Sequence, residues 1–325
     1  MPLESQGMTL WELDSSGSPE RTSHEVLARA ALVVVVRYIP RPWLGCLRSL
    51  RRRGIPLAFL MDDDLLDPAV LRDLPNLYRK RLQQKITNRR GAVGRLFAHL
   101  LVSSAPLAQK YAHLGAVQLP LRPHPALMAL PDQPRLHLAY CGTAVHRQEF
   151  LWLLPLLEEL QRRQTQTHIQ LFGDLEINRL FRHIPRLRVL HPMDWSRYQA
   201  ATGGGSIDLL LCPLLASPFN HCRAPVKFID AARSGAAGLY SDRAPYRGFI
   251  RDGTDGLLLP DDQASWLRAL EELLAAPLRR QALAQATRER ALALSRGEAD
   301  PADPGGQLAP PAAGERQESP NFGPC

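Results

Sequence analysis

Residues 31–64 read ALVVVVRYIPRPWLGCLRSLRRRGIPLAFLMDDD, and the reading of this run decides the fold. Residues 31–37 hold four consecutive valines and no charge before Arg37, which is the length and composition of a buried strand. Pro42 to Arg53 places Trp43, Leu44, Leu47 and Leu50 at helical spacing, and Gly54 stops the helix. Ile55 to Met61 is a second buried strand that runs directly into Asp62-Asp63-Asp64. A parallel strand pair needs a crossover, usually helical, so strand, helix, strand with short links predicts a parallel sheet.

The same alternation continues outward. A long polar and basic helical region spans about 68–97, and strands follow at Phe97–Ser103 and Val117–Leu121, with a short helix at Ala105–His113 between them. Around 122–135 the composition shifts to proline-rich sequence, the mark of a linker. A second series then starts. Strands are expected at 136–140, 168–172, 187–190, 207–212, 236–241 and 257–259, and helices at 149–164, 195–201, 227–234, 265–275 and 278–295. The expected fold is α/β, with two Rossmann-like, doubly wound domains of which the N-terminal one is shortened. The expected divisions are a flexible 1–24, a domain at 25–130, a second at 131–296, and a disordered 297–325 rich in Pro, Gly, Ala, Glu and Gln. No repeat of fixed period is present.

The chain has 325 residues, a net charge of +8, and 45% hydrophobic residues. No apolar run reaches the roughly 20 residues of a membrane helix, and no secretory leader is expected at the N-terminus. The five cysteines, 46, 141, 212, 222 and 325, are scattered and form no Cys-x-x-Cys pair, so a cytoplasmic protein with reduced thiols is expected. Fourteen basic residues fall between Arg37 and Arg95 against five acidic ones, a local excess of +9. Such a surface attracts phosphates, in a nucleic acid, an anionic lipid or a phosphorylated substrate, or it is a set of solvated helix faces.

Ligands of wound α/β sheets sit beyond the carboxyl ends of the strands. That rule puts Asp62–Asp64, Ser103–Ser104, Gly142–Arg147, Gly173–Asp174, Pro213–Arg223 and Ser241–Tyr246 on the working rim. The stretch Leu138-Ala-Tyr-Cys-Gly142-Thr143-Ala-Val-His146 resembles the opening of the C-terminal domain of GT-B glycosyltransferases. Asp208 to Asn220, continuing to Lys227-Phe-Ile-Asp230-Ala-Ala-Arg-Ser-Gly235, is similar to their donor-binding segment. Tyr246, the run Ile250–Leu259 and the helix with Trp266 resemble the next segment of that family. The resemblance covers about 136–290, and the strand ending in Asp62-Asp63-Asp64 resembles the N-terminal domain of surface-polysaccharide members more loosely. Two departures stand out. Residues 1–30 lack the strand and glycine-rich loop that open these enzymes. Many retaining members carry two glutamates eight residues apart, where this chain has Cys222 and Asp230.

The resemblance implies transfer of a sugar from a nucleotide-sugar to a glycan or lipid-phosphate acceptor. The leaving diphosphate gains negative charge, so cations and helix N-termini are the expected catalytic devices. His146, Arg223 and Lys227 are the catalytic candidates. Gly142, Thr143, Arg147, Gly173, Asn220, Asp230 and Tyr246 are the donor-binding ones, with Asp230 placed to accept from ribose hydroxyls. No cofactor or metal is expected. Plainer readings stay open beside each: a tight turn at Gly142, a helix start at His146, a helix pair between Lys227 and Asp230, and a shaped loop at Asn220-His221. Asp62–Asp64 reads as a divalent-metal site or as a helix cap. A non-catalytic glycosyltransferase-like module is the alternative function. Nucleic-acid binding is not expected, for want of a recognition motif. Peripheral contact with the inner face of an anionic membrane is expected from the basic stretch.

Overall fold

The computed structural model describes residues 9–15, 17–19, 21–72, 74–124, 127, 136–142, 146–203 and 207–298. Among the described residues the chain forms two compact units, one running to Pro120 and joined by Ser217–Ala224, the other comprising the residues from Leu121 to Ala216 and from Pro225 to Glu298. This differs from the expected division in two respects. The boundary falls after Pro120 rather than 130, and an eight-residue piece of the expected second domain packs with the first.

In the first unit, helix α1 (Arg21–Ala28) precedes β1 (Val33–Val36), so ordered helix begins within the stretch expected to be flexible. A 3-10 turn and α2 (Leu44–Arg52) lead to β2 (Leu57–Met61); α3 (Asn76–Lys85) and α4 (Arg90–Leu96) lead to β3 (His99–Val102); α5 (Ala105–Lys110) leads to β4 (Ala116–Gln118). All pairs are parallel and the order is β1-β2-β3-β4. A sheet wound steadily one way, with right-handed crossovers, puts every crossover helix on one face. That face holds Leu57, Phe59, Met61, Leu100 and Val102, all buried. On the other face the in-register neighbours Val34, Val36 and Val117 are 42%, 56% and 39% exposed. Among the described residues the shortening expected for this domain thus takes the form of a four-stranded sheet without a second layer of crossover helices. β1 is an edge strand: Val33 and Arg37 donate their amides to Pro56 and Leu60, which turns the amides of Val34 and Val36 away from β2.

The second unit contains β5 (Leu136–Cys141), α6 (Arg147–Arg163), β6 (Ile169–Phe172), α7 (Leu175–Phe181), β7 (Leu187–Leu190), α8 (Trp195–Thr202) and β8 (Ile207–Cys212). The chain passes through α9 (Pro218–His221), in the first unit, and returns as α10 (Lys227–Ser234), β9 (Ala237–Ser241), β10 (Leu257–Leu259), α11 (Gln263–Ala275) and α12 (Pro277–Ser295). Its six parallel strands run β10-β9-β8-β5-β6-β7. The winding reverses between β5 and β8, which is the switch point where ligands of this sheet type bind.

Apolar residues of α6, α7 and α11, among them Phe150, Leu153, Leu157, Phe181 and Trp266, pack on one face. Phe228 and Ala231 of α10 with Ala291 and Leu294 of α12 pack on the other. Caps set the helix starts. Asp174, Asp194 and Asp262 each accept a backbone amide three residues on. Gly235 ends α10 at φ 68°, in the left-handed region where glycine is favoured. Of the expected disordered tail, only Gly297 and Glu298 are among the described residues.

Candidate active site

The second unit builds its rim around the carboxyl ends of β5 and β8. Lys227 opens α10, and its Nζ lies 3.0 Å from Asp230 Oδ2. The other carboxylate oxygen of Asp230 lies 3.4 Å from Arg233 Nη2. Burial works to lower the Lys227 pKa, but the Asp230 carboxylate together with the Cys141 and Cys212 sulfurs outweighs it and holds the ammonium above its ordinary range. Lys227 is therefore a fixed, permanently charged group at a helix N-terminus, where the backbone dipole already favours anions. The helix pair read from the sequence is present, and both oxygens of Asp230 have a cation beside them.

Beneath this pair lie Cys141 and Cys212, both buried, at the ends of adjacent strands. Burial pushes the Cys141 thiol up to about 11 and raises that of Cys212 well above its usual value. Below about pH 8.5 a thiol is neutral in both the folded and the unfolded chain. As pH rises further the unfolded chain ionises first, while Cys141 keeps its proton to about 11. Stability should therefore fall between about pH 9 and 11, by up to ~1.4 kcal/mol per pH unit for each such group. Urea titrations across that window check this. Cys141→Ala, less stable overall, should show a shallower slope; a wild-type midpoint independent of pH would contradict it.

His146 stands just before α6 with Nδ1 3.7 Å from Oε2 of the buried Glu149. Burial works to raise the Glu149 carboxyl, but the hydrogen bond and charge of His146, with the amides of Glu149 and Leu215, hold it below the ordinary range. Glu149 thus positions His146 and the turn after β8 together, a role the sequence did not reveal. Arg147 is half-exposed and donates Nε and Nη2 to Glu176 Oε1 at 2.9 and 2.8 Å. A Cβ on Gly142 would come 2.7 Å from the Tyr140 ring, and one on Gly173 would come 2.7 Å from Ile177. Both glycines thus have a packing reason in their own neighbourhood. Thr143 lies outside the described residues. Tyr246 is 4% exposed, and its ring packs 4.9 Å from the Tyr240 ring within the core cluster on the α10 side of the sheet. The turn from Arg243, whose carbonyl accepts the Tyr246 amide, folds the side chain inward.

Asn220 and Arg223 belong to the first unit. Ser217 caps α9 by accepting the Asn220 amide at 3.0 Å, so Asn220 does shape a loop. The buried Ser104 hydroxyl donates to the Cys222 carbonyl at 2.9 Å, and Arg223 Nε lies 3.7 Å from Asp63 Oδ1. Arg37, with φ 62°, turns its guanidinium back to donate to Asp62 and, at 2.9 Å, to Asp63 Oδ2. Asp64 is fully buried, accepting from Lys110 Nζ and Tyr111 OH, each at 2.6 Å. Asp62 and Asp63 thus share Arg37, while Asp64 turns to Lys110 and Tyr111. Among the described residues no group of three His, Cys, Asp or Glu side chains is placed to hold a metal ion.

No protein-family model matches the sequence, and no curated protein matches it. Solved structures do match. HepE from Anabaena, crystallised with UDP and glucose, superposes with a TM-score of 0.60 at 11% identity, covering 85% of this chain and 78% of that one. The chain has the GT-B glycosyltransferase fold. Sucrose-phosphate synthase from Thermosynechococcus elongatus matches with a TM-score of 0.56 at 16% identity, over 81% of this chain and 69% of that one. TarM matches with a TM-score of 0.58 at 9% identity, over 80% of this chain but 51% of its own, so this GT-B chain spans about half the length of TarM.

Proposed function

We propose that this chain is a glycosyltransferase that moves a sugar from a nucleotide-sugar to a glycan or lipid-phosphate acceptor, in surface polysaccharide synthesis. The observation that carries the reading is Lys227. It is a charged ammonium held by Asp230 at the N-terminus of α10, beside the switch between β5 and β8. A diphosphate leaving group developing charge there meets a cation at the positive end of a helix dipole. Solved relatives in fold crystallised with UDP or UDP-glucose add support. His146, oriented by Glu149, faces the same task from the end of β5 as a proton donor or hydrogen-bond donor.

The test is a thermal-shift screen with UDP-, GDP- and dTDP-sugars, and then assay of sugar transfer and donor hydrolysis. A ligand at about 100 times its dissociation constant adds ~2.7 kcal/mol of stability. No shift with any of them sinks the proposal. Turnover is expected to survive EDTA; its loss, restored by manganese, would move the chemistry to a metal site. One observation favours the alternative of a non-catalytic module: the position that holds a glutamate in many retaining enzymes is Cys222 here, in a segment packed with the first unit. Binding of a donor without transfer or hydrolysis would select that alternative.

The membrane reading is also a proposal. No helix among the described residues is long and apolar enough to cross a membrane. Arg48, Arg51, Arg52 and Arg53 are exposed along α2 and its end. Each basic side chain near an anionic surface contributes roughly 1 kcal/mol, and salt weakens it. The protein should sediment with anionic vesicles and not with neutral ones at low salt. Equal sedimentation with both would refute it.

A further inference from the structure

Trp195 opens α8 directly after its cap Asp194, beyond the carboxyl end of β7, and is 58% exposed. A single exposed aromatic needs no explanation. This one, however, is held in a fixed stack. Its ring lies 5.6 Å from that of Tyr198, with 24° between the planes. The Arg233 guanidinium carbon lies 5.8 Å from the Trp195 ring and 5.3 Å from the Tyr198 ring. Arg233 is itself buried and fixed, with Nη1 donating to the Gln199 carbonyl at 3.2 Å and Nη2 to Thr202 Oγ1 at 2.6 Å. Tyr198 is braced edge-on against Phe172 at 5.2 Å.

The stack is joined to the proposed donor site by two routes. Arg233 reaches Asp230 at 3.4 Å, and Asp230 holds Lys227 at 3.0 Å. The Tyr198 hydroxyl lies beside the Cys141 thiol, on the residue before Gly142. An ordered indole with its exposed surface in water, tied to the Lys227–Asp230 pair within one unit, has the chemistry of a stacking platform. Every nucleobase offers a π-face, and such stacking fixes a base without selecting which base it is.

Building on the glycosyltransferase reading above, we propose that Trp195 is the surface on which the base of a nucleoside diphosphate donor stacks, with its diphosphate directed to Lys227. Tyr198 and Arg233 back the ring and keep it from turning. Asp230 and Arg233 then act as positioning residues that register the base end of the site against its phosphate end.

Calorimetric titration of the full chain with UDP, GDP and inorganic pyrophosphate tests this. Trp195→Ala should weaken UDP and GDP binding about tenfold or more and leave pyrophosphate binding unchanged; Trp195→Phe should stay within about threefold of wild type. UDP should also quench wild-type tryptophan emission, and the quench should vanish in Trp195→Phe, which gives a reading that does not depend on the alanine variant folding. UDP binding by Trp195→Ala equal to wild type overturns the proposal, as does a parallel loss of pyrophosphate or a quench that persists in Trp195→Phe. If wild type binds neither UDP nor GDP, the glycosyltransferase reading fails and takes this one with it; if wild type binds and Trp195→Ala is indifferent, only the stacking platform fails.

Discussion

Lys227→Ala is expected to lower turnover of the donor by about 10²–10³-fold, the scale of losing one preorganised group aimed at developing charge. The ground-state diphosphate already carries charge, so some donor affinity goes as well. The larger loss belongs to kcat, because the charge Lys227 faces grows in the transition state. The fold should tolerate the change, since Asp230 keeps Arg233 3.4 Å from its other oxygen. Steady-state kinetics with the best donor from the screen, beside calorimetric UDP titration and a thermal melt, separate the three effects. A kcat within about threefold of wild type would remove Lys227 from the mechanism.

The second large effect is on stability. Asp255 is fully buried in the turn before β10 and binds two arginines: its Oδ2 lies 2.6 Å from Arg251 Nε and 2.9 Å from Arg290 Nη1. Its backbone carbonyl accepts from Thr287 Oγ1 at 2.8 Å, so one residue ties the turn to α12. Arg290 is also buried, packed 4.4 Å from the Phe249 ring and 5.1 Å from the Phe228 ring. Asp255→Ala strands that guanidinium without its counter-charge, and breaking a buried pair from one side costs about 3–5 kcal/mol. Urea denaturation should show a loss of this size, smaller for Asp255→Asn, which keeps a hydrogen-bond acceptor. A loss under about 1 kcal/mol would mean that Arg290 finds another partner or reaches water.

Much of the fold was legible because parallel strands announce themselves as short apolar runs. β7, β8, β10 and α10 occur at the expected residues, the last framed by Lys227 and Gly235. Helix α7 escaped notice, since seven residues with only Ile177 and Phe181 buried leave little periodicity, and its signal is the Asp174 cap. The site was less legible because long-range contacts fixed its parts. Nothing local in Ser217–Ala224 says that it packs with the first unit; the Ser104–Cys222 bond spans 118 residues. Tyr246 looks like a rim residue by position, and its burial against Tyr240 is a tertiary contact that nothing local announces. Glu149 read as one polar residue of an amphipathic helix, while the turn after β8 makes it a buried support. Trp195 read only as a helix start, because its stack with Arg233 joins residues 38 positions apart.

The β1 edge of the N-terminal sheet, which no described strand pairs, bears on how this protein behaves at high concentration. Val33–Val36 has no proline and no charge, and it turns the amides of Val34 and Val36 away from β2, along a border that another extended chain can copy. What opposes such association is mutual repulsion between copies, through the +9 carried between Arg37 and Arg95. That repulsion reaches about 10 Å in 0.1 M salt and about 3 Å in 1 M. Colloidal stability is therefore set against salt tolerance: concentrated brine, or an acidic polymer coating the arginines, removes the barrier and leaves the valine border to nucleate aggregates.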